Sequence, residues 1–252
     1  MREEKAGKKF LQKLIGASFS ISTFLIFMLV SVEFNLFKYH QLLTTPWFWI
    51  LFFCYGILSS YAIDWISMKF NDYTRWKEMV CYIVFGYLIF LILSPNVYGF
   101  IAGTVGAFFS LLFLVAKKKF RYEKRLSGLV FIVPLICLLM VPFDFTKKIG
   151  WTEVKAGSFV EVQYDYLNGE HLIPVTGQQD DEVFFKVEHQ FEEGKSHGVS
   201  VYDKNGDYAG MNSHQRDEYI FSIQFPEEAT KYIVVRAIEG RNGQARVEWW
   251  EE

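Results

Sequence analysis

The stretch LSGLVFIVPLICLLMVP (residues 126–142), followed directly by FDFTKKIGWTEVKAGSFVEVQYDY (residues 143–166), marks where one kind of chain becomes another. Up to Pro142 the apolar residues come in long, nearly uninterrupted runs. From Phe145 onward they alternate with polar ones, the two-residue period of a strand with one buried face. The charges change at the same place. Residues 1–143 hold 15 Lys/Arg against 7 Asp/Glu, a net of +8, and residues 144–252 hold 11 against 21, a net of −10. The formal total of −2 conceals a basic, apolar half and an acidic, polar half. Two domains follow, a helical one over 1–143 and an all-β one over 150–252.

Working back from Pro142, five apolar segments are long enough to be considered as membrane spans: 15–37, 47–68, 79–96, 100–116 and 126–142. A spanning helix needs about 20 apolar residues and at least about 17. The last segment is short and has Pro134 at its middle, which membrane helices tolerate. The N-terminal run is too long for the apolar part of a signal peptide and is expected to remain as an anchor. Lys and Arg set the orientation. Segments 1–13, 69–78 and 117–125 carry 5, 3 and 6 basic residues, whereas 38–46 carries one and 97–99 none. The N-terminus is therefore expected in the cytoplasm. With five crossings the C-terminal half would emerge outside the cell. Trp47, Trp49, Trp65, Trp76 and Tyr98 fall near the interfaces, as aromatic belts do. The basic cluster Lys117, Lys118, Lys119, Arg121, Lys124 and Arg125 serves as a topological anchor on anionic head groups. Basic clusters that only flank apolar runs exclude nucleic acid as a partner and leave the lipid bilayer.

Glu33 and Asp64 are the acids inside these spans, and intramembrane acids are functional candidates by default. Each lies about 10 Å from the centre of its own span, toward opposite faces, so they cannot share one ion site. For Asp64, Lys69 or Arg75 is the expected partner. Gly56, Ser60 and Asp64 follow one another at four-residue spacing on one helix face, a small-xxx-small pattern that lets backbones approach. Ala102, Gly106 and Ser110 match it on the fourth span, with Gly103 and Ala107 alongside, so spans two and four are expected to pack closely.

In the C-terminal half, Phe159–Asp165, Glu182–His189, Gly198–Asp203, Glu218–Gln224, Lys231–Ala237 and Gln244–Trp250 read as strands. His171–Val175 adds another, confined to an edge by Pro174. Asn205-Gly206 and Asn242-Gly243 are hairpin signals. An antiparallel sandwich is expected, with Val183, Phe185, Val187, Val199, Val201, Tyr219, Phe221, Ile223, Val247 and Trp249 in its core. Trp250 would then point outward, a candidate binding aromatic for an extracellular protein or a cell-wall ligand.

Catalytic machinery is not expected. Cys54, Cys81 and Cys137 all lie in apolar runs, which excludes a disulfide scaffold. His171, His189, His197 and His214 lack metal-ligand spacing. Asp203-Lys204-Asn205-Gly206-Asp207 begins like a calcium loop, but its twelfth position is His214 rather than Glu. No Walker loop, G-x-S-x-G or G-x-G-x-x-G is present, so neither a cofactor nor a covalent nucleophile is expected. A non-enzymatic membrane protein that displays a binding domain in envelope-linked assembly or protection fits best. A small transporter or channel using Glu33 or Asp64 is the alternative.

Two resemblances accompany these expectations. Tyr55-Gly56-Ile57-Leu58-Ser59-Ser60-Tyr61-Ala62-Ile63-Asp64 resembles a helix end in a group of small uncharacterised membrane proteins of Gram-positive bacteria with about four spans. The likeness covers residues 1–116 and implies no catalytic residue, and the fifth span and added domain depart from it. The run from Glu182 to Trp250 is similar to β-sandwich modules of the prepeptidase C-terminal type, carried by Tyr202–Gly206, Tyr232–Val235 and Gly243–Trp249. That likeness implies a non-catalytic module.

Overall fold

The computed structural model describes residues 2–70, 74–120, 127–215 and 220–251, with side chains described from Gly7 onward and not at Phe191 and Gln215. Arg121, Lys124, Arg125, Leu126 and Tyr219 lie outside the described residues. The chain divides into two compact units, Met1–Phe143 and Asp144–Glu252.

The first unit is helical. Its elements are α1 (Arg2–Ser31), α2 (Leu36–Leu43), α3 (Pro46–Lys69), α4 (Arg75–Leu93), α5 (Val97–Lys119) and α6 (Leu129–Met140). Among the described residues, α1 from Gly7 onward, α3, α4 and α5 are long and apolar enough to cross a membrane. The sixth is not, which corrects the expectation for 126–142. Its helix covers 12 residues, about 18 Å at the ordinary rise, against a hydrocarbon core of about 30 Å. The first span also ends earlier than expected. It stops at Ser31, and Glu33 and Phe34 take left-handed backbone conformations (φ 55° and 60°) in a turn. Asn35 then caps α2 by accepting from the Lys38 N–H, so the apolar run 15–37 contains a break that hydropathy does not register.

α1 is the central helix: Ala17, Ile21 and Leu25 are buried on its length. Ser20 Oγ donates to the Phe109 carbonyl of α5. In the last third of α1, Ser22 Oγ donates to the carbonyl of Val130 at 3.1 Å. Tyr39 Oη meets Cys137 Sγ at 3.3 Å, and His40 Nε2 meets the Val141 carbonyl at 2.8 Å. Because α2 connects α1 to α3 at the Glu33 end, α6 runs from Ser22 of α1 to that end. α5 finishes at the opposite end, where Lys117 stands beside Lys13 and Asp64.

The tightest helix seam joins α4 to α5, not spans two and four as expected. A Cβ on Gly86 would stand 2.6 Å from the Ala107 Cα, so the two backbones touch. Ser110 Oγ reinforces the seam by donating to the Tyr82 carbonyl at 2.7 Å. Gly56, in contrast, faces open space with the Phe113 ring 3.7 Å from its absent Cβ, an ordinary contact.

The second unit is an eight-stranded antiparallel sheet: β1 (Lys147–Ile149), β2 (Thr152–Ala156), β3 (Phe159–Gly177), β4 (Glu182–Glu193), β5 (Ser196–Tyr202), β6 (Asn212–Gln215), β7 (Ile220–Gln224) and β8 (Ala229–Glu251). The order is β1-β3-β8-β4-β7-β6, with β2 on β3 and β5 on β8. Two pairs of expected strands turn out to be single long ones. Phe159–Asp165 and His171–Val175 belong to β3, and Lys231–Ala237 and Gln244–Trp250 belong to β8. Asn242-Gly243 is therefore not a hairpin. The two strands stay paired through it, with Tyr164 opposite Gly243 and Gln163 opposite Gln244, and the Tyr164 ring lies where a Gly243 side chain would stand. Asn205-Gly206 does form a turn. There Asp203 accepts from the Asn205 and Asp207 N–H groups, and these backbone bonds hold its carboxyl below the usual range.

The core of this unit gathers Val160, Val162, Ile173, Val175, Val183, Phe185, Val187, Val201, Ile223, Phe225, Ile233, Val235, Ala245 and Val247. Val199, Phe221 and Trp249 pack against it while partly exposed. Trp250 is 42% exposed and stacks on Phe184, so the two final tryptophans do lie on opposite faces.

Candidate functional site

At one end of the helical unit, four helices converge on an ionic cluster. Asp64, near the C-terminus of α3, takes Lys13 of α1 on one carboxylate oxygen at 2.5 Å and Lys117 of α5 on the other at 2.7 Å. Lys13 Nζ also donates to Ser60 Oγ at 2.9 Å and lies 4.2 Å from the Tyr61 ring centre. Ser60 Oγ and the Tyr82 hydroxyl of α4 are 2.8 Å apart, and Lys117 Nζ reaches that hydroxyl at 3.3 Å. Lys13 is 1% exposed, Lys117 is 14% exposed at its side chain, and Asp64 retains 37%. Two cations against one carboxylate leave the cluster with a formal charge of +1.

Sequence reasoning had paired Asp64 with Lys69 or Arg75. The observed partners come from α1 and α5 instead, because both lysine stems run inward along helices that pack around α3. Lys69 lies over the Trp65 ring. Of the singled-out face, Ser60 and Asp64 enter the cluster and Gly56 does not. Glu33 sits exposed in the turn at the other end of α1, outside any helix.

Above the cluster a cavity of about 300 Å³ runs between α3, α4 and α5, with α1 behind it. Tyr82 and Ser59 lie toward its cluster end, and Phe48, Phe90 and Ala102 toward the other. Part of its α3 wall, Ile50–Tyr55, is wound as a π-helix, a local widening that recurs at functional positions. Tyr55 on this segment donates to the Phe85 carbonyl at 2.5 Å.

The second unit carries a polar groove of about 600 Å³. Thr152, Gln163, Gln244 and Gln190 stand in register across four adjacent strands and are all exposed on one face. Asp165, Glu192 and Asn242 extend the lining. Beneath it, Trp151 stacks on Tyr164 and Tyr164 Oη meets His189 Nε2 at 2.7 Å. Burial pushes the Tyr164 phenol up to about 12 and the His189 imidazole down to about 4, with His197 adding to the latter. His171 is also lowered to about 4, by burial and then by Lys148, against the smaller pull of Glu153 at 3.3 Å. Among the described residues no group of three or more His, Cys, Asp or Glu could hold a metal ion.

No family model matches the chain, and no curated protein matches it.

Proposed function

We propose that this chain is an integral membrane protein whose helical unit anchors and presents the β unit on the non-cytoplasmic side, where its polar groove binds a hydrogen-bonding ligand of the cell envelope. Insertion is supported by the burial of α3 and α4: only 11% of the most apolar window of each is buried, an exposure that water disfavours and hydrocarbon does not. The path of α6 supports the sidedness and is the observation that carries the proposal. Its start bonds to Ser22 of α1 and the residue after its end to His40 of α2. The chain thus leaves α5 at the Lys13 end and leaves α6 at the Glu33 end, so a helix too short to span accompanies a fifth traverse in the proposed topology. Lys8, Lys9, Lys69, Arg75, Lys77 and Lys117–Lys119 gather at the first end and Lys38 alone on the connection at the second, which favours a cytoplasmic Lys13 end.

The β unit is proposed to close as a sandwich, because Val160 and Val162 from one half of β3 and Ile173 and Val175 from the other share one core. Its likeness to prepeptidase C-terminal-type modules belongs to the same proposal, a non-catalytic appended unit. The groove's amide and carboxylate side chains suit a hydroxyl-rich ligand such as a wall glycan, since planar amides both donate and accept. A transport role for Asp64 is disfavoured by two lysines fixed on its two oxygens.

Protease added to intact, wall-stripped cells tests sidedness. The β unit should be degraded while the helical unit remains protected, and survival of the β unit until lysis would overturn the proposal.

A further inference from the structure

We propose that the cavity between α3, α4 and α5 is a lipid site that holds one acyl chain of an anionic phospholipid of the cytoplasmic leaflet, with its head group at the Lys13–Asp64–Lys117 cluster. The proposal rests on insertion of the helices and not on the side occupied by the β unit.

Three observations converge on that occupant. The first is shape. The cavity follows α3 from Phe48 to Ser59 and α5 from Ala102 to Phe113, about 16 Å of helix in each case. That is close to half of the roughly 30 Å hydrocarbon core, the reach of one chain within one leaflet. The second is chemistry. Aromatic and aliphatic side chains dominate the walls, and the hydroxyls of Ser20, Ser59 and Ser110 sit on helices, where their own backbones offer acceptors; Ser59 and Ser110 bond to the carbonyls of Gly56 and Ala107. Such a slot stays dry and favours hydrocarbon over water.

The third is charge. Tyr82 is shared by the two features: its ring lines the cavity and its hydroxyl contacts both Ser60 and Lys117. The cluster carries one positive charge beyond what Asp64 neutralises. Lys118 next to it is already paired with Glu78 at 2.6 Å. A phosphate-bearing head group beside Lys117 would balance the excess, and its chain would pass Tyr82 into the slot. Gly56 widens the slot, since its absent Cβ would meet the Phe113 ring and the Leu51 carbonyl only at ordinary contact distance.

Native mass spectrometry of the full chain in a mild detergent, with phosphatidylglycerol and phosphatidylcholine of matched chains, tests this. The wild type should retain one phosphatidylglycerol in preference to phosphatidylcholine. Lys117→Met should reduce that preference about fivefold, the factor expected for one basic residue facing anionic head groups. Gly56→Leu should fill the slot and lose both lipids while the helical signal and unfolding midpoint are kept. Ser59→Leu fills the same slot from the next turn and serves if Gly56→Leu does not accumulate. Equal retention of the two lipids by the wild type would overturn the head-group assignment, and undiminished retention by a folded slot-filling variant would overturn the site.

Discussion

Asp64 touches two ammonium groups and can neutralise one. Removing its charge leaves Lys13, 1% exposed, beside Lys117 with nothing between them but dipoles. Breaking a buried pair in this way costs about 3–5 kcal/mol because the surviving charge stays desolvated. Asp64→Asn should therefore lower the unfolding midpoint of the purified protein strongly, and Lys13→Met/Asp64→Asn should recover part of the loss. An unchanged midpoint in Asp64→Asn would contradict the ionic lock. In the β unit, His189 is the sensitive residue. Its folded pKa of about 4 lies below the unfolded value of about 6.5, so the unfolded chain binds a proton first as pH falls. Stability should be complete above about pH 6.5 and decline toward pH 4, by about 2–3 kcal/mol from this group. Denaturant melts at successive pH values should show the decline, and His189→Gln should make it shallower without abolishing it, because His171 is lowered to about 4 as well. A slope unaffected by His189→Gln would assign the loss elsewhere.

The helix seam follows from backbone approach. Gly86→Leu forces a side chain into the Ala107 backbone, where nothing flexible can yield, so it should prevent accumulation of folded protein. Gly56→Leu enters open space and should accumulate normally; the reverse ranking would refute the seam. On β8, Trp249→Ala removes a ring packed on the core and should cost about 3 kcal/mol. Trp250→Ala loses mainly a stack on Phe184, about 1 kcal/mol. Equal losses in chemical unfolding would put the strand's faces the wrong way round. Much at this scale was legible in advance. Helical runs, the change of period near residue 145 and the faces of β4 and β8 are local patterns. What escaped was tertiary. Lys13 reads as a flanking anchor because hydropathy ends a span at its last apolar residue, whereas its stem runs inward beside α3. Gly86 stands alone in its helix, without the four-residue repeat that advertises a seam. Asn242-Gly243 carries strong turn chemistry, but pairing of β8 with β3 on one side and β4 on the other overrides it.

At the scale of the whole molecule, charge asymmetry and chain path support one arrangement. The basic half supplies helices with their lysines gathered at one end, and the acidic half supplies an antiparallel sheet. Five traverses were expected from five apolar runs, yet among the described residues four helices have spanning length. In the proposed topology the parity is kept by α6, which lies along α1 toward its α2 end. A single cysteine tests that path directly. With Cys54, Cys81 and Cys137 replaced by serine, Asn205→Cys on the exposed turn after β5 should react with a membrane-impermeant thiol reagent on intact cells. Lys118→Cys, at the end of α5, should react only after lysis. Labelling of Asn205→Cys only after lysis would put the β unit on the same side as Lys13 and contradict the account.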